Sequence, residues 1–250
     1  MTLPRWATRG ATSIAISVIC ASPAVGQTDC ANDVADQQSV TGFSSLIDGQ
    51  PTDPQRPTLT VGGARAAGTS ILQTTIQIAP GKRRGLCDAV LSVQLPAIYW
   101  NDRVGLSDTI GFGWEQRWHA DDGLRPTIAT FLSAKADYSR SDLGILLGAT
   151  LIVAKTIGRV AVYGNGFANY QEMPGRAAIW TPGFVVGIKA PATAENSLVL
   201  DLVVERGSPA SIELAYQFAL PGDVDMGPGL AVSLGRTPQL TVGLTLQKEF

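Results

Sequence analysis

From Thr58 to Phe250 the chain is divided into segments of about ten residues in which apolar and polar side chains alternate. The last segment shows the pattern most cleanly. Leu240, Val242, Leu244, Leu246 and Phe250 fall on one face of an extended strand, and Thr241, Gly243, Thr245, Gln247 and Glu249 on the other. In Asp108–His119 the faces are Ile110, Phe112, Trp114, Gln116, Trp118 against Gly111, Gly113, Glu115, Arg117, His119. In Ser197–Arg206, Leu198, Leu200, Leu202 and Val204 oppose Val199, Asp201, Val203 and Glu205. The same reading predicts strands over Thr58–Ala66, Ile71–Ala79, Ala89–Tyr99, Asp108–His119, Pro126–Asp137, Asp142–Lys155, Arg159–Tyr170, Ala178–Lys189, Ser197–Arg206, Ala210–Leu220, Gly227–Gly235 and Pro238–Phe250. Turn residues separate them, including Asp122-Gly123, Gly158 and the Gly235–Pro238 stretch. The count is even, as a single-chain barrel with both termini on one side requires. All the connections on the side away from the termini are short, which weakens adhesion or receptor roles.

Alternation alone does not say whether the apolar face meets lipid or a soluble core, and a secreted soluble sandwich shows the same faces. Three features favour a transmembrane antiparallel up-and-down β-barrel of about twelve strands. The pattern recurs through the chain, glycine is abundant at 27 residues, and Tyr99, Trp100, Trp118, Tyr138, Tyr170 and Phe250 sit near strand ends, where interfacial aromatics belong. The longest apolar run after the N-terminus, Leu143–Ala154, is too short for a membrane helix. With the apolar face outward, Glu115, Arg117, Lys135, Asp201, Glu205, Glu213, Gln217 and Glu249 line the lumen. Twelve strands about 4.8 Å apart and tilted near 40° close to a diameter of roughly 24 Å, leaving at most about 12 Å between side chains. Two readings stay open: a narrow pore with an acidic bias, or charges that pair with one another and fill the lumen.

The N-terminus reads as a secretory signal over residues 1–26, with Arg5 and Arg9 before the apolar run Ala11–Ala21 and small residues at Ala24-Val25-Gly26. Cys20 suggests a lipoprotein, but the bulky Ile19 before it argues against one. Residues 27–57, with Pro51, Pro54 and Pro57, read as an irregular periplasmic leader. Cys30 and Cys87 remain after cleavage, either as a disulfide or as two unpaired thiols. Charged residues make up only 16% of the chain and the net charge is -2, so nucleic acid is not an expected partner.

No catalytic constellation, metal site or cofactor motif emerges. His119 is the single histidine, at the mouth of the Asp121-Asp122-Gly123 turn, and there is no Gly-x-Ser-x-Gly elbow. Asp121 and Asp122 read as turn formers rather than metal ligands. The basic run Lys82-Arg83-Arg84 reads as a solvated turn. A barrel-embedded lipid enzyme is therefore the least favoured class.

Two stretches carry a family resemblance. Gly105-Leu-Ser-Asp-Thr-Ile-Gly-Phe-Gly-Trp114, followed by Asp121-Asp-Gly-Leu-Arg-Pro126 and Asp142-Leu-Gly144, is similar to successive elements of a family of outer-membrane barrels named after the meta-pathway of phenol degradation. Gly207-Ser-Pro-Ala-Ser-Ile-Glu-Leu-Ala-Tyr216 resembles a hairpin near that family's C-terminus. The resemblance spans roughly Leu59 to Phe250. It implies an outer-membrane location and uptake of small solutes, aromatic or hydrophobic ones among them, and it supplies no site residues. The final strand also resembles the closing strand of bacterial outer-membrane barrels, in which a terminal aromatic such as Phe250 addresses the barrel assembly machinery. The chain departs from the family in ending Gln-Lys-Glu-Phe and in its cysteine pair. The functional expectation is a passive channel for small solutes; a closed structural barrel is the alternative.

Overall fold

The computed structural model describes residues 57–66, 69–78, 89–100, 104–107, 109–137, 144–173, 175–193 and 196–250. Within them the strands are β1 (Thr58–Ala66), β2 (Thr69–Ile78), β3 (Ala89–Gln94), β4 (Ile98–Trp100), β5 (Val104–Leu106), β6 (Thr109–His119), β7 (Thr127–Asp137), β8 (Gly144–Ile157), β9 (Val160–Glu172), β10 (Ile179–Pro191), β11 (Asn196–Glu205), β12 (Ser211–Leu220), β13 (Val224–Ser233) and β14 (Leu240–Glu249). All the strands pair antiparallel in a single sheet, and β1 pairs with both β2 and β14. The sheet therefore closes. The seam runs from Thr58 opposite Glu249 to Ala66 opposite Thr241, and the Phe250 amide donates to the Pro57 carbonyl at 3.1 Å.

Fourteen segments make twelve staves, because β3 with β4, and β5 with β6, are each one strand broken part-way. The alternation predicts the first of these as an unbroken strand and starts the second at Asp108; both expectations are corrected. Pro96 has no N–H to give the ladder, so pairing stops at Leu95–Ala97. On β2, Thr75 faces Gln94 while Leu72 faces Ile98, so the interruption holds one residue more than its neighbour, which is a bulge. Local bonds replace the lost ladder. The Gln73 amide donates to the Leu95 carbonyl at 2.6 Å, Leu95 N–H to the Thr74 carbonyl at 2.9 Å, and Ala97 N–H to the Ser107 hydroxyl at 2.8 Å. The extra residue also reverses the faces beyond it. Tyr99 then shares the row of Ile71 and Gly105, with its ring lying over Gly105, and does not join the outer aromatics.

Burial decides which solvent each face meets. On β11, Leu198, Leu200 and Leu202 are 41%, 41% and 39% exposed, whereas Val199 and Asp201 between them are 0% and 1% exposed. On β14, Leu244 and Leu246 are exposed and Thr245 and Gln247 are buried. A soluble sandwich buries its leucines and solvates its carboxylates; here the order is reversed. The outward face is a continuous apolar belt, far larger than the patches soluble monomers expose. Aromatics mark both ends of the belt. Trp118 and Phe250 lie at the end where β1 begins and β14 finishes, called here the terminal end, and Trp100, Tyr170 and Trp180 lie at the far end. The Tyr170 and Trp180 rings are 4.9 Å apart, and the Trp118 indole N–H donates to the Thr130 hydroxyl at 2.9 Å. Tyr138 lies outside the described residues.

Several inward glycines give room to a large side chain on the next strand. A Cβ on Gly113 would collide with the Ser92 hydroxyl and the Phe131 ring, and one on Gly183 with the Phe167 ring. The tips of both rings thus reach over a glycine of the adjoining strand. Gly113→Val should cost about 1–3 kcal/mol through overpacking, read as a lower urea midpoint of the purified barrel. Adding Phe131→Ala should restore part of it, and an unchanged midpoint in the single variant would refute this packing.

Candidate functional site

The inner wall is the candidate site, and cross-strand register fixes what lines it. Asp201 on β11 and Glu213 on β12 are direct partners, 1% and 9% exposed. Asp201 projects over Gly187, whose missing side chain makes room for the carboxylate. Glu205 lies across from Gly183. Glu115 is flanked by Val90 and Phe131, Arg117 faces Ala129, and Lys135 faces Gly111. Gln217, also buried, accepts from the Ser197 hydroxyl at 3.1 Å. Glu115, Arg117, Asp201, Glu213 and Gln217 each have an interaction partner in the protein. The seven side chains are distributed around the wall and do not converge on one point. The Glu249 side chain, and both Cys30 and Cys87, lie outside the described residues.

The same register adds groups that the sequence reading left out. Asp137, Lys189 and Asp225 also occupy inward rows, and Lys189 attracts the Asp225 carboxylate. Asp225 was missed because β13 begins at Val224, three residues before the predicted strand. Lys189 and Asp137 were the last residues of predicted strands, and the parity rule applied to the whole strand would have found both. Among the described residues, inward carboxylates at 115, 137, 201, 205, 213 and 225 outnumber the cations Arg117, Lys135 and Lys189. The inner face therefore carries negative potential.

Burial also varies along the axis. Towards the terminal end the inward residues are buried, among them Thr58, Ile152, Ala154, Tyr163, Val199, Gln217 and Gln247. Towards the far end Ser133, Lys135, Asn169, Gln171, Thr181 and Glu205 are half-buried or exposed. The wall is thus most accessible at the far mouth and tightest in the terminal half.

Solved structures with this architecture are outer-membrane porins and channels. The KdgM porin in complex with disordered oligogalacturonate superposes with a TM-score of 0.54 at 11% identity, covering 75% of this chain and 97% of that one. The NanC porin gives 0.54 at 9% identity, covering 77% and 100%. An outer-membrane channel from Pseudomonas putida F1 gives 0.54 at 11% identity, covering 86% and 100%. The fold is that of a porin-type barrel. No family model matches the chain, and no curated protein matches it either.

The turn of residues 120–126 closes the terminal end between β6 and β7, and its two carboxylates shape it. Asp122 accepts from the amides of Leu124 and Arg125 at 2.9 and 2.7 Å. Asp121 accepts from the Gly123 amide at 2.9 Å, the Thr156 amide at 2.7 Å and the Lys155 ammonium at 2.8 Å, which fastens the turn to the end of β8. His119 is part of the same turn, with Nδ1 3.1 Å from the Pro126 carbonyl oxygen and Nε2 3.7 Å from Asp122. No reaction is assigned to it. The Lys155 ammonium, then the Thr156 and Gly123 amides, hold the Asp121 carboxyl down from 3.8 to about 2. A depressed carboxylate stabilises the fold above its unfolded value and ceases to do so as pH falls through its folded one. The latch should accordingly be intact above pH 3.8 and loosen towards pH 2. Hydrogen exchange at the Thr156 amide checks this: protection should fall over that interval, and Asp121→Ala should abolish the pH dependence.

Proposed function

We propose that the chain is a bacterial outer-membrane barrel that gives small solutes a passive path, aromatic and hydrophobic compounds among them as the family resemblance implies. One observation carries the reading: a closed wall whose apolar face is exposed and whose polar, charged face is turned inward. Only helices and closed barrels satisfy every backbone group in hydrocarbon, and transmembrane barrels pair an apolar outer band with a polar interior. On this reading residues 1–26 are the cleaved export signal. The terminal end faces the periplasm, the outward belt meets outer-membrane lipid, and the strand ending at Phe250 engages the assembly machinery. Phe250 suits that role, since its ring is exposed and the Lys248 ammonium lies 5.4 Å from it.

The closed structural barrel has its own supporting observation, the burial of inward residues such as Ile152 and Val199 in the terminal half. Planar bilayers separate the two. A channel should give discrete steps with cation over anion preference, because carboxylates dominate the inner face. Asp201→Asn with Glu213→Gln should shift the reversal potential in a KCl gradient towards zero while conductance persists. Absence of steps under all voltages would favour the closed barrel.

Membrane placement has a separate check. Leu200 is mid-strand on the outward face, so Leu200→Arg should cost about 2–4 kcal/mol of folding stability in lipid vesicles. The readout is loss of the heat-modifiable band on gels. Recovery of the parent protein as a soluble monomer would refute the membrane reading outright.

A further inference from the structure

Arginine recurs once at every crossing of the far end. Arg65 stands near the end of β1, Arg176, Arg206 and Arg236 lie in the connections after β9, β11 and β13, and Arg103 and Arg140 fall in connections outside the described residues. No lysine occurs in the far-end connections. Arg65, Arg206 and Arg236 are all exposed and are neighbours around the rim, on an arc from β11 to β1 that covers about 20 Å. The turns of residues 206–210 and 234–239 are joined: the Leu234 amide donates to the Ala210 carbonyl at 2.7 Å, and a Cβ on Gly235 would lie 3.0 Å from Pro209. Neither turn contains a carboxylate. Arg65 continues the arc on the outward face, in register with the exposed Val242. Elsewhere the far rim is marked by Trp100, Tyr170 and Trp180, on β4, β9 and β10. Among the described residues, no aromatic side chain faces outward at the far end of β11 to β14 or of β1.

We propose that this arginine arc binds the phosphates of an outer-leaflet glycolipid, whose acyl chains lie on the apolar wall beneath it. The site rests on the membrane placement and orientation proposed above and is independent of conduction. A guanidinium presents a planar fork of donors that meets phosphate oxygens in pairs, which an ammonium cannot do. The connections are short, so the guanidiniums stay at headgroup height instead of being carried outward on loops. The bond between the two turns holds Arg206 and Arg236 on adjoining, fixed segments. Below them Leu230, Leu240, Val242 and Leu244 are 40%, 57%, 53% and 41% exposed on the same staves. Cationic rim and apolar wall are therefore continuous on one arc. A ligand with both phosphates and acyl chains engages the two together, whereas a soluble phosphate meets the rim alone.

Native mass spectrometry of the full exported chain in detergent tests this, with diphosphoryl lipid A (an acylated glucosamine disaccharide bearing two phosphates) as the probe. The protein should retain it several-fold better than the same lipid stripped of both phosphates. Arg65→Gln, Arg206→Gln and Arg236→Gln together should remove most of that difference, and lysine at the same three positions should restore only part of it. Arg125→Gln with Arg159→Gln, at the terminal end, should leave it unchanged. Heat-modifiability on gels confirms that each variant is folded. Inorganic pyrophosphate at equal concentration distinguishes the source of the phosphate. Failure to displace the lipid supports the lipid assignment, and full displacement assigns the arc to soluble phosphate and overturns it. Equal retention of the two lipids, or equal losses from the far-end and terminal-end variants, overturns the proposal while leaving a membrane barrel in place. Recovery of the parent chain as a soluble monomer overturns the membrane placement itself.

Discussion

Every other feature of this barrel depends on the seam between β1 and β14. In hydrocarbon an unpaired backbone N–H or C=O costs several kcal/mol, so an open edge along the sheet could not persist there. The seam joins residues as far apart as Thr58 and Glu249 in unbroken antiparallel register, and the Phe250 amide to Pro57 carbonyl bond extends it by one step. Closure also fixes parity. Strands alternate in direction, so the first and last can pair antiparallel only if the number of staves is even.

Once the wall is closed, each residue faces one of two solvents, and the period of two in a strand decides which. This gives single-residue events large consequences. The bulge at Leu95–Pro96–Ala97 turns Tyr99 from the outward face to the inward one, and the neighbouring stave accommodates its ring only because position 105 is glycine. The wall tolerates the missing proline donor because a side chain, Gln73, substitutes for ladder bonds at that point. Breaks in a membrane wall need such local repair, since there is no water to supply it.

The fold was largely readable from the alternation. The twelve staves follow from the alternation, and the same parity puts Glu115, Asp201 and Glu213 in rows of one face of the sheet. What the pattern could not decide was the sign of the faces. Alternating Leu and Asp are compatible with a soluble sheet until the exposure of Leu200 beside the burial of Asp201 shows which side is covered. The Asp121 latch was also hidden. Its partners Lys155 and Thr156 are more than thirty residues away, and only the register of β7 against β8 brings the strand ends together. Proline-driven breaks were legible in principle, since Pro96 stands inside an otherwise regular strand.

The Asp201–Glu213 pair resists explanation by stability. Like charges directly opposite in a sheet are destabilising, and burial raises the cost further. Gly187 contributes to the same arrangement, because a Cβ there would fall on the Asp201 carboxylate and close to the Leu200 carbonyl. The wall therefore goes without a side chain at one place to keep two acidic groups adjacent. Departures from local consistency tend to mark positions kept for function. The two acids lie in the inward row Tyr163, Gly187, Asp201, Glu213, Ala231, and each has an interaction partner in the protein. Keeping both fits the proposed pore, because Asp201 lies mid-strand on β11 and Glu213 near the far end of β12, so the pair sets a fixed negative charge where the wall opens towards the more accessible mouth.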